Sequence, residues 1–328
     1  MLTIRDLANH FLTAKQRRVE SGEMGSRSFN DYHRTSAMLV KFFGADRRVD
    51  HLTSIDFGRL RMSLAKRYGA VMLGNQVGRI RSVFKYGYEA SLLDRPMRFG
   101  PEFTKPARRL VRQERAVRGE RMYTPAEIRS ILEAAGPQMK AMVLLGLNCG
   151  MGNTDVASLP RAAVDQKKAM VTFPRPKTGI SRRCPLWPET LAAIAEAERV
   201  RPRVRDEAHG DLVFITKYGR PWVRVDAPGA RSKGKNHSVV KDAVTTEFNK
   251  LLRSVGIQGE RRGFYALRHT FRTVADEVGD RRAVDLIMGH ENSEDISTAY
   301  VERVADERLV KVTEHVKGWL ASGSRRTS

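Results

Sequence analysis

Gly263-Phe264-Tyr265-Ala266-Leu267-Arg268-His269-Thr270-Phe271 is the stretch whose reading decides this chain. Ile287-Met288-Gly289-His290 follows about twenty residues after it, and Tyr300 stands ten residues beyond His290. Taken singly, each piece is ordinary. An Arg-His pair on a helix is most often a solvated face, and a tyrosine in an amphipathic segment is most often a core residue with its hydroxyl at the rim. Together, in this order and at this spacing, they are specific.

The rest of the composition says what such a site would act on. The chain has 328 residues, with 59 Lys+Arg against 37 Asp+Glu, a formal net charge of +22. Excess charge of that size opposes compaction through self-repulsion, and a polyanion relieves it. Nucleic acid is the leading candidate and an anionic membrane surface the second. No amphipathic basic helix or lipidation signal supports the membrane. Hydrophobic residues make up 41% of the chain, enough for a core. Cys149 and Cys184 are the only cysteines, which argues against a disulfide framework. Neither lies in a CxxC pair, and none of the eight histidines pairs as HxxH or HxxxH, so no metal site is expected. The N-terminal stretch MLTIRDLANHFLTAKQRRVE carries charge throughout and does not read as a secretory signal. No apolar run approaches the ~20 residues that span a bilayer. These features predict a cytoplasmic, nucleoid-associated protein with reduced thiols.

The charge is unevenly spread: residues 1–118 hold 24 basic and 11 acidic side chains. Their apolar pattern is helical, with stripes at Leu2, Ile4, Leu7, Phe11; at Tyr32, Met38, Leu39, Phe42, Phe43; at Ile55, Phe57, Leu60, Leu64; and at Val77, Ile80, Val83, Phe84. Arg79, Arg81 and Lys85 surround the last stripe. Residues 1–95 therefore read as a small helical domain. Residues 96–121, rich in Pro, Gly and Arg, read as a basic linker, either a solvated loop or a strap across a phosphate backbone carrying Arg108, Arg109 and Arg112. A second domain, 122–321, opens on the capping box Thr124-Pro125-Ala126-Glu127. Its expected elements are a helix over Ile128–Ala135, a nearly all-apolar central helix over Met139–Leu147, and strands at Ala169–Phe173 and Cys184–Leu186 joined by a turn at Lys177–Gly179. A helix over Leu191–Val200, a short strand Leu212–Ile215, a loop insertion from Tyr218 to His237 and a long helix over Val239–Val255 follow. The tail, 322–328, reads as frayed. The fold class expected is mainly α with a small β-sheet.

Gly229–Asn236 resembles a phosphate-binding loop of the form GxxxxGK[ST], but Asn236 replaces the hydroxyl and no strand precedes it, so nucleotide hydrolysis is not expected.

The pieces Tyr265-Ala-Leu-Arg268-His269, Met288-Gly289-His290 and Tyr300 resemble the C-terminal half of the tyrosine recombinase, or phage integrase, family. That family carries H-x-L-R-H, then L-G-H, then a tyrosine nucleophile. Lys177-Thr178-Gly179 followed by Cys184-Pro185-Leu186 resembles its β-hairpin lysine motif, and the N-terminal helical region resembles its core-binding (SAM-like) domain. There are two departures. The family's first catalytic arginine lies in T-G-x-R-x-x-E; here that position is Gly152 and the glutamate position is Asp155. The first histidine of H-x-L-R-H is Tyr265, whose hydroxyl can also donate to a phosphate oxygen.

The resemblance implies a DNA recombinase of a mobile element that cuts and rejoins strands through a covalent 3′-phosphotyrosine, which conserves the phosphodiester energy without a cofactor or metal. Tyr300 would be the nucleophile and Arg268 the phosphate clamp. Lys177 would be the general acid, His290 a donor to a phosphate oxygen, and His269 and Tyr265 would shape the site. The family acts as a tetramer on paired double-stranded sites, and the helix after Tyr300 (Leu309, Val312, Val316, Trp319, Leu320) suits either a neighbouring copy or its own domain. Gly152 removes one cationic clamp. Either another group fills the gap, with Arg175 on the hairpin strand and Asn153 with the backbone N–H groups that open its helix as candidates, or the chain binds DNA without cutting it, as a regulator on the same scaffold. A type IB topoisomerase, which shares the chemistry, is the third reading.

Overall fold

The computed structural model describes residues 1–117, 119–226, 239–257, 259, 262–290 and 303–322. Tyr300, the whole phosphate-loop-like stretch Gly229–Asn236 and the 323–328 tail lie outside the described residues. The chain divides into two compact units, Met1–Glu120 with Val225–Val240, and Arg121–Arg224 with Lys241–Ser328.

The first unit is helical: α1 (Ile4–Glu20), α2 (Ser26–Phe43), α3 (Ser54–Arg67), α4 (Ala70–Glu89) and α5 (Arg108–Val117). Local chemistry sets the starts. The Asp6 carboxylate accepts from the Thr3 N–H at 3.1 Å while Thr3 Oγ1 accepts from the Asp6 N–H at 3.2 Å, which closes a reciprocal cap on α1. Asp56 accepts from the Thr53 N–H at 2.9 Å and caps α3. The core gathers Leu7, Phe11, Leu39, Phe57, Leu60, Ile80, Val83 and Phe84.

The expected linker over 96–121 lends side chains to the core of the first unit and contains a helix. Phe103 is fully buried, and its ring lies 5.4 Å from that of Phe57, with the Phe99 ring 4.8 Å from the same phenylalanine. Two aromatics four residues apart carry too little periodicity to announce a core contribution, yet each removes a large apolar area from water. Residues 108–117 are helical, and α5 buries none of its side chains.

The second unit is built around α7 (Pro137–Asn148), where Met139 and every residue from Ala141 to Asn148 are buried. Gly136 and Pro137 start this helix. α6 (Pro125–Ala134) precedes it on the Thr124–Glu127 capping box. A short helix α8 (Asn153–Ala157) follows, then β1 (Val164–Asp165), β2 (Met170–Thr172) and β3 (Arg183–Pro185) form an antiparallel sheet in that order, with Val171 opposite Cys184. α9 (Pro188–Arg199), α10 (Ala243–Ser254), α11 (Tyr265–Asp276), α12 (Arg281–Met288) and α13 (Asp306–Ser322) complete it, and the paired strands β4 (Val223–Asp226) and β5 (Val239–Asp242) hold the points at which the chain leaves this unit and returns to it. α7 packs on α9 and α11. The approach to α11 is close because residue 146 is glycine: a Cβ there would sit 3.1 Å from the Leu267 side chain.

Three expectations are corrected. Val239–Asp242 is a strand, and the helix begins only at Ala243, because Asp242 caps it by accepting from the Thr245 N–H at 2.9 Å. The loop expected from Tyr218 contains β4. Leu212–Ile215 makes only single bridges, Leu212 to Pro160 and Ile215 to Pro221. α13 uses its apolar stripe within its own unit: Leu309, Val312 and Val316 are fully buried, Trp187 Nε1 donates to the Thr313 carbonyl at 3.0 Å, and Arg129 Nη1 donates to the Leu320 carbonyl at 2.8 Å.

Asn148, fully buried at the end of α7, ties this unit together. Its Nδ2 donates to the Pro185 carbonyl at 3.0 Å, and its Oδ1 accepts from the Trp187 N–H at 2.8 Å and from Thr190 Oγ1 at 3.0 Å. Asn148→Ala strands those buried groups and is expected to lower the unfolding free energy by about 3 kcal/mol, read as a shifted urea midpoint. A shift below about 0.5 kcal/mol would mean that water replaces the amide.

Candidate active site

Arg268 lies on the first turn of α11, and two tight turns face it. Gly150, at φ +60°, follows α7; Gly289, at φ +62°, ends α12. Both conformations favour glycine, and each turn presents a carbonyl to the guanidinium. Arg268 Nη1 donates to the Gly150 carbonyl, and Nη2 donates to the Met288 carbonyl at 3.0 Å and to His290 Nε2 at 2.6 Å. The side chain is only 3% exposed. Burial, reinforced by the Arg175 charge, pushes its pKa down to about 10, so it remains cationic at neutral pH. Gly289 serves a second purpose: a Cβ there would fall 2.9 Å from the Arg175 Cβ, so the hairpin packs directly on this turn.

Asp155 stands beside Arg268. Its Oδ2 accepts from the Gly152 N–H at 2.7 Å and lies 3.9 Å from Arg268 Nη1, while Oδ1 lies 3.1 Å from Arg182 Nη2. Arg182, immediately before β3, is completely buried. It and Arg268 are the two buried arginines among the described residues. Sequence reasoning passes over Arg182. Its one signal is alternation: Arg182 and Cys184 share the inward face of the strand, and Arg183 between them is exposed.

The expected site residues divide. Arg268, His290, Tyr265 and His269 share one region: the Tyr265 and His269 rings meet edge to face at 5.4 Å, and Arg121 Nη1 reaches His269 Nε2 at 3.4 Å. Arg175 is half-buried against Gly289, and its charge acts on both Arg268 and His290. Lys177 is exposed in the turn between Arg175 and Ile180, a turn closed by the Arg175 N–H donating to the Ile180 carbonyl at 2.8 Å. Asn153 is not available as a phosphate contact, because its Nδ2 donates to Asp242 Oδ2 at 3.2 Å and to Thr245 Oγ1 at 2.8 Å. The Gly152 N–H, also expected to be free, is taken by Asp155. Of the expected DNA contacts, Arg79 is paired with Asp31, Arg81 donates to the Phe103 carbonyl at 2.7 Å, and Lys85 pairs with Glu89 at 3.4 Å. Arg108, Arg109 and Arg112 are exposed on α5. No described helix is long and apolar enough to cross a membrane. Among the described residues, no group of three His, Cys, Asp or Glu side chains is placed to hold a metal ion.

His290 is held neutral. Burial, followed by the charges of Arg268 and Arg175, outweighs Asp285 and lowers its pKa to about 4. Its Nε2 accepts from Arg268, so the ring proton sits on Nδ1. The unfolded chain then binds a proton at this ring near pH 6.5, before the folded chain does. The ring's contribution to stability is therefore complete above about pH 6.5 and is lost as the pH falls toward 4. A two-dimensional NMR titration is expected to place the His290 ring transition near 4. A transition at 6 or above would mean that Arg268 does not bond to it in solution.

The phage integrase family model matches residues 121–307. No curated protein matches the chain in sequence. Among solved structures, the chain resembles the Tn1549 transposon integrase in complex with transposon right end DNA, at 13% identity and a TM-score of 0.65, covering 96% of this chain and 100% of that one. It also resembles a lambda integrase dimer bound to a COC′ core site, at 12% identity and a TM-score of 0.61, covering 93% and 99%. A lambda integrase tetramer bound to a Holliday junction matches at 12% identity and a TM-score of 0.62, covering 93% of this chain and 80% of that one. The buried arginine between two glycine turns, the hairpin packed on the second turn and the matched span together place this chain in the phage integrase family of tyrosine recombinases.

Proposed function

We propose that this protein is a site-specific DNA recombinase that cuts and rejoins strands through a 3′-phosphotyrosine on Tyr300. The observation that carries the reading is Arg268, a guanidinium buried and oriented by Gly150, Met288 and His290 before any substrate arrives. Such preorganised donors stabilise the charge that develops in phosphoryl transfer. In the reaction, the Tyr300 oxygen bonds to phosphorus, its proton leaves to solvent, and the bond from phosphorus to the sugar 5′-oxygen breaks. Lys177, exposed in the hairpin turn, delivers a proton to that leaving oxygen. A 5′-hydroxyl of a second strand reverses the sequence. Tyr265 and His269 line the approach to Arg268, and Arg108, Arg109 and Arg112 of α5 contact the duplex backbone. Assembly as a tetramer on paired duplexes accords with the lambda integrase tetramer, using surfaces other than the stripe that α13 buries.

A DNA-binding regulator on the same scaffold is the second reading, favoured by Gly152. The test begins by selecting bound duplexes from a randomised pool. A nicked suicide version of the selected site is then incubated with wild type and with Tyr300→Phe. A covalent adduct with wild type alone is expected. No adduct with wild type leaves the regulator reading, and an equal adduct with Tyr300→Phe overturns Tyr300 as the nucleophile.

A further inference from the structure

The site has a second buried cation, ion-paired but without a hydrogen bond. The Arg182 guanidinium has no solvent exposure, and Nε, Nη1 and Nη2 all lack a hydrogen-bond partner. Its Nη2 is within ion-pair distance of Asp155 Oδ1, at 3.1 Å, but is not aligned to bond to it. The guanidinium carbon lies 5.9 Å from the Phe173 ring centre. A buried charge in this condition is costly unless a further partner completes it. Arg182 and Arg268 flank the same carboxylate.

We propose that Arg182 supplies the second guanidinium charge to the scissile phosphate, from the hairpin strand, in place of the side chain absent at Gly152. Charge balance supports it. With Lys177 set aside, because its charge leaves with the proton it delivers, Asp155 offsets Arg268 and Arg175 is the net charge left without Arg182. With it, the group carries about two positive charges, against a phosphodiester and an attacking phenolate that together carry about two negative ones. Three nitrogens without a hydrogen-bond partner, on a buried guanidinium that shares Asp155 with Arg268, match the non-bridging oxygens of one phosphate once the bound strand reaches them. The position also fits the departure at 152: Asp155, three residues after Gly152, turns one oxygen to each arginine, so either cation can be completed by the same anion.

This inference rests on the recombinase reading, and its test has an arm that does not. In the first arm, Arg182→Gln and Arg182→Met are assayed on the nicked suicide substrate and on the same substrate with a methylphosphonate at the scissile position, which removes the phosphate's negative charge. Adduct formation on the phosphodiester is expected to fall by about 10²–10³, and the neutral substrate is expected to recover most of that loss relative to wild type. Arg182→Lys, which keeps the charge, is expected to stay within about tenfold of wild type. Equal losses on both substrates, or no loss, overturn the proposal. In the second arm, binding is measured to selected duplexes carrying one methylphosphonate at each position in turn. Wild type is expected to bind one of these more weakly than the phosphodiester, and Arg182→Gln to lose that preference. A preference that survives in Arg182→Gln overturns the proposal even if wild type never cleaves. A preference that depends on Arg182, with no adduct from wild type, sustains it and defeats only the recombinase reading. If neither neutral variant folds, judged by circular dichroism and thermal melting, Arg182 belongs to the core and the proposal fails.

Discussion

Arg268→Ala is expected to reduce covalent adduct formation by at least about 10³ and to lower the unfolding free energy by about 2–4 kcal/mol. Both effects come from the same contacts. The guanidinium satisfies the Gly150 and Met288 carbonyls and the His290 ring, so alanine leaves buried acceptors unpaired on two turns at once. It also leaves Asp155 facing Arg182 alone. Arg268→Lys separates the two consequences. A lysine keeps the charge but offers a point donor that cannot bridge two carbonyls and an imidazole. It is expected to restore part of the stability and little of the cleavage. Thermal melting and the suicide-substrate assay read the two quantities. Cleavage by Arg268→Ala within tenfold of wild type would move the chemistry away from this pocket.

Much of this pocket was legible in the sequence, and the reasons differ by residue. Arg268, His290 and Gly289 stand in a spaced pattern that the family shares, so order alone located them. The capping box at Thr124 and the apolar run of α7 rest on local chemistry and held their positions. Val239–Asp242 misled because its valines continue the stripe of Val244 and Phe248 in helical register; strand pairing depends on a partner near Val223, which no local pattern reveals. The expected DNA contacts illustrate a second limit. Composition counts charges and says nothing of what they touch. Arg79 and Arg81 are engaged by Asp31 and by the Phe103 carbonyl within the first unit, whereas α5, inside the expected linker, keeps its arginines in solvent. Arg182 illustrates the same limit in reverse: an arginine in a basic chain reads as surface, and only its alternation with Cys184 marks it as inward-facing.

The two departures from the family pattern meet in space. Gly152 has φ −96° and ψ 178°, a conformation open to any residue, so glycine is not required by the backbone. Space requires it. A Cβ at 152 would meet the Tyr265 ring at 3.2 Å and Asp155 Oδ2 at 3.4 Å. The tyrosine that replaces histidine at 265 covers the place from which an arginine at 152 would extend. Gly152→Arg alone is therefore expected to destabilise the protein by about 1–3 kcal/mol through overpacking and to lower cleavage, although it adds the cation the family uses. Gly152→Arg with Tyr265→His is expected to recover stability, because the smaller ring clears the approach. In that double variant the phosphate has a second guanidinium from 152, so adding Arg182→Gln is expected to cost less than about tenfold in adduct formation, against about 10²–10³ in the wild-type background. Non-additivity of that size is the signature of two arginines serving one phosphate. If Gly152→Arg alone proves as stable as wild type and cleaves faster, the tyrosine ring does not exclude the arginine and the two departures arose independently.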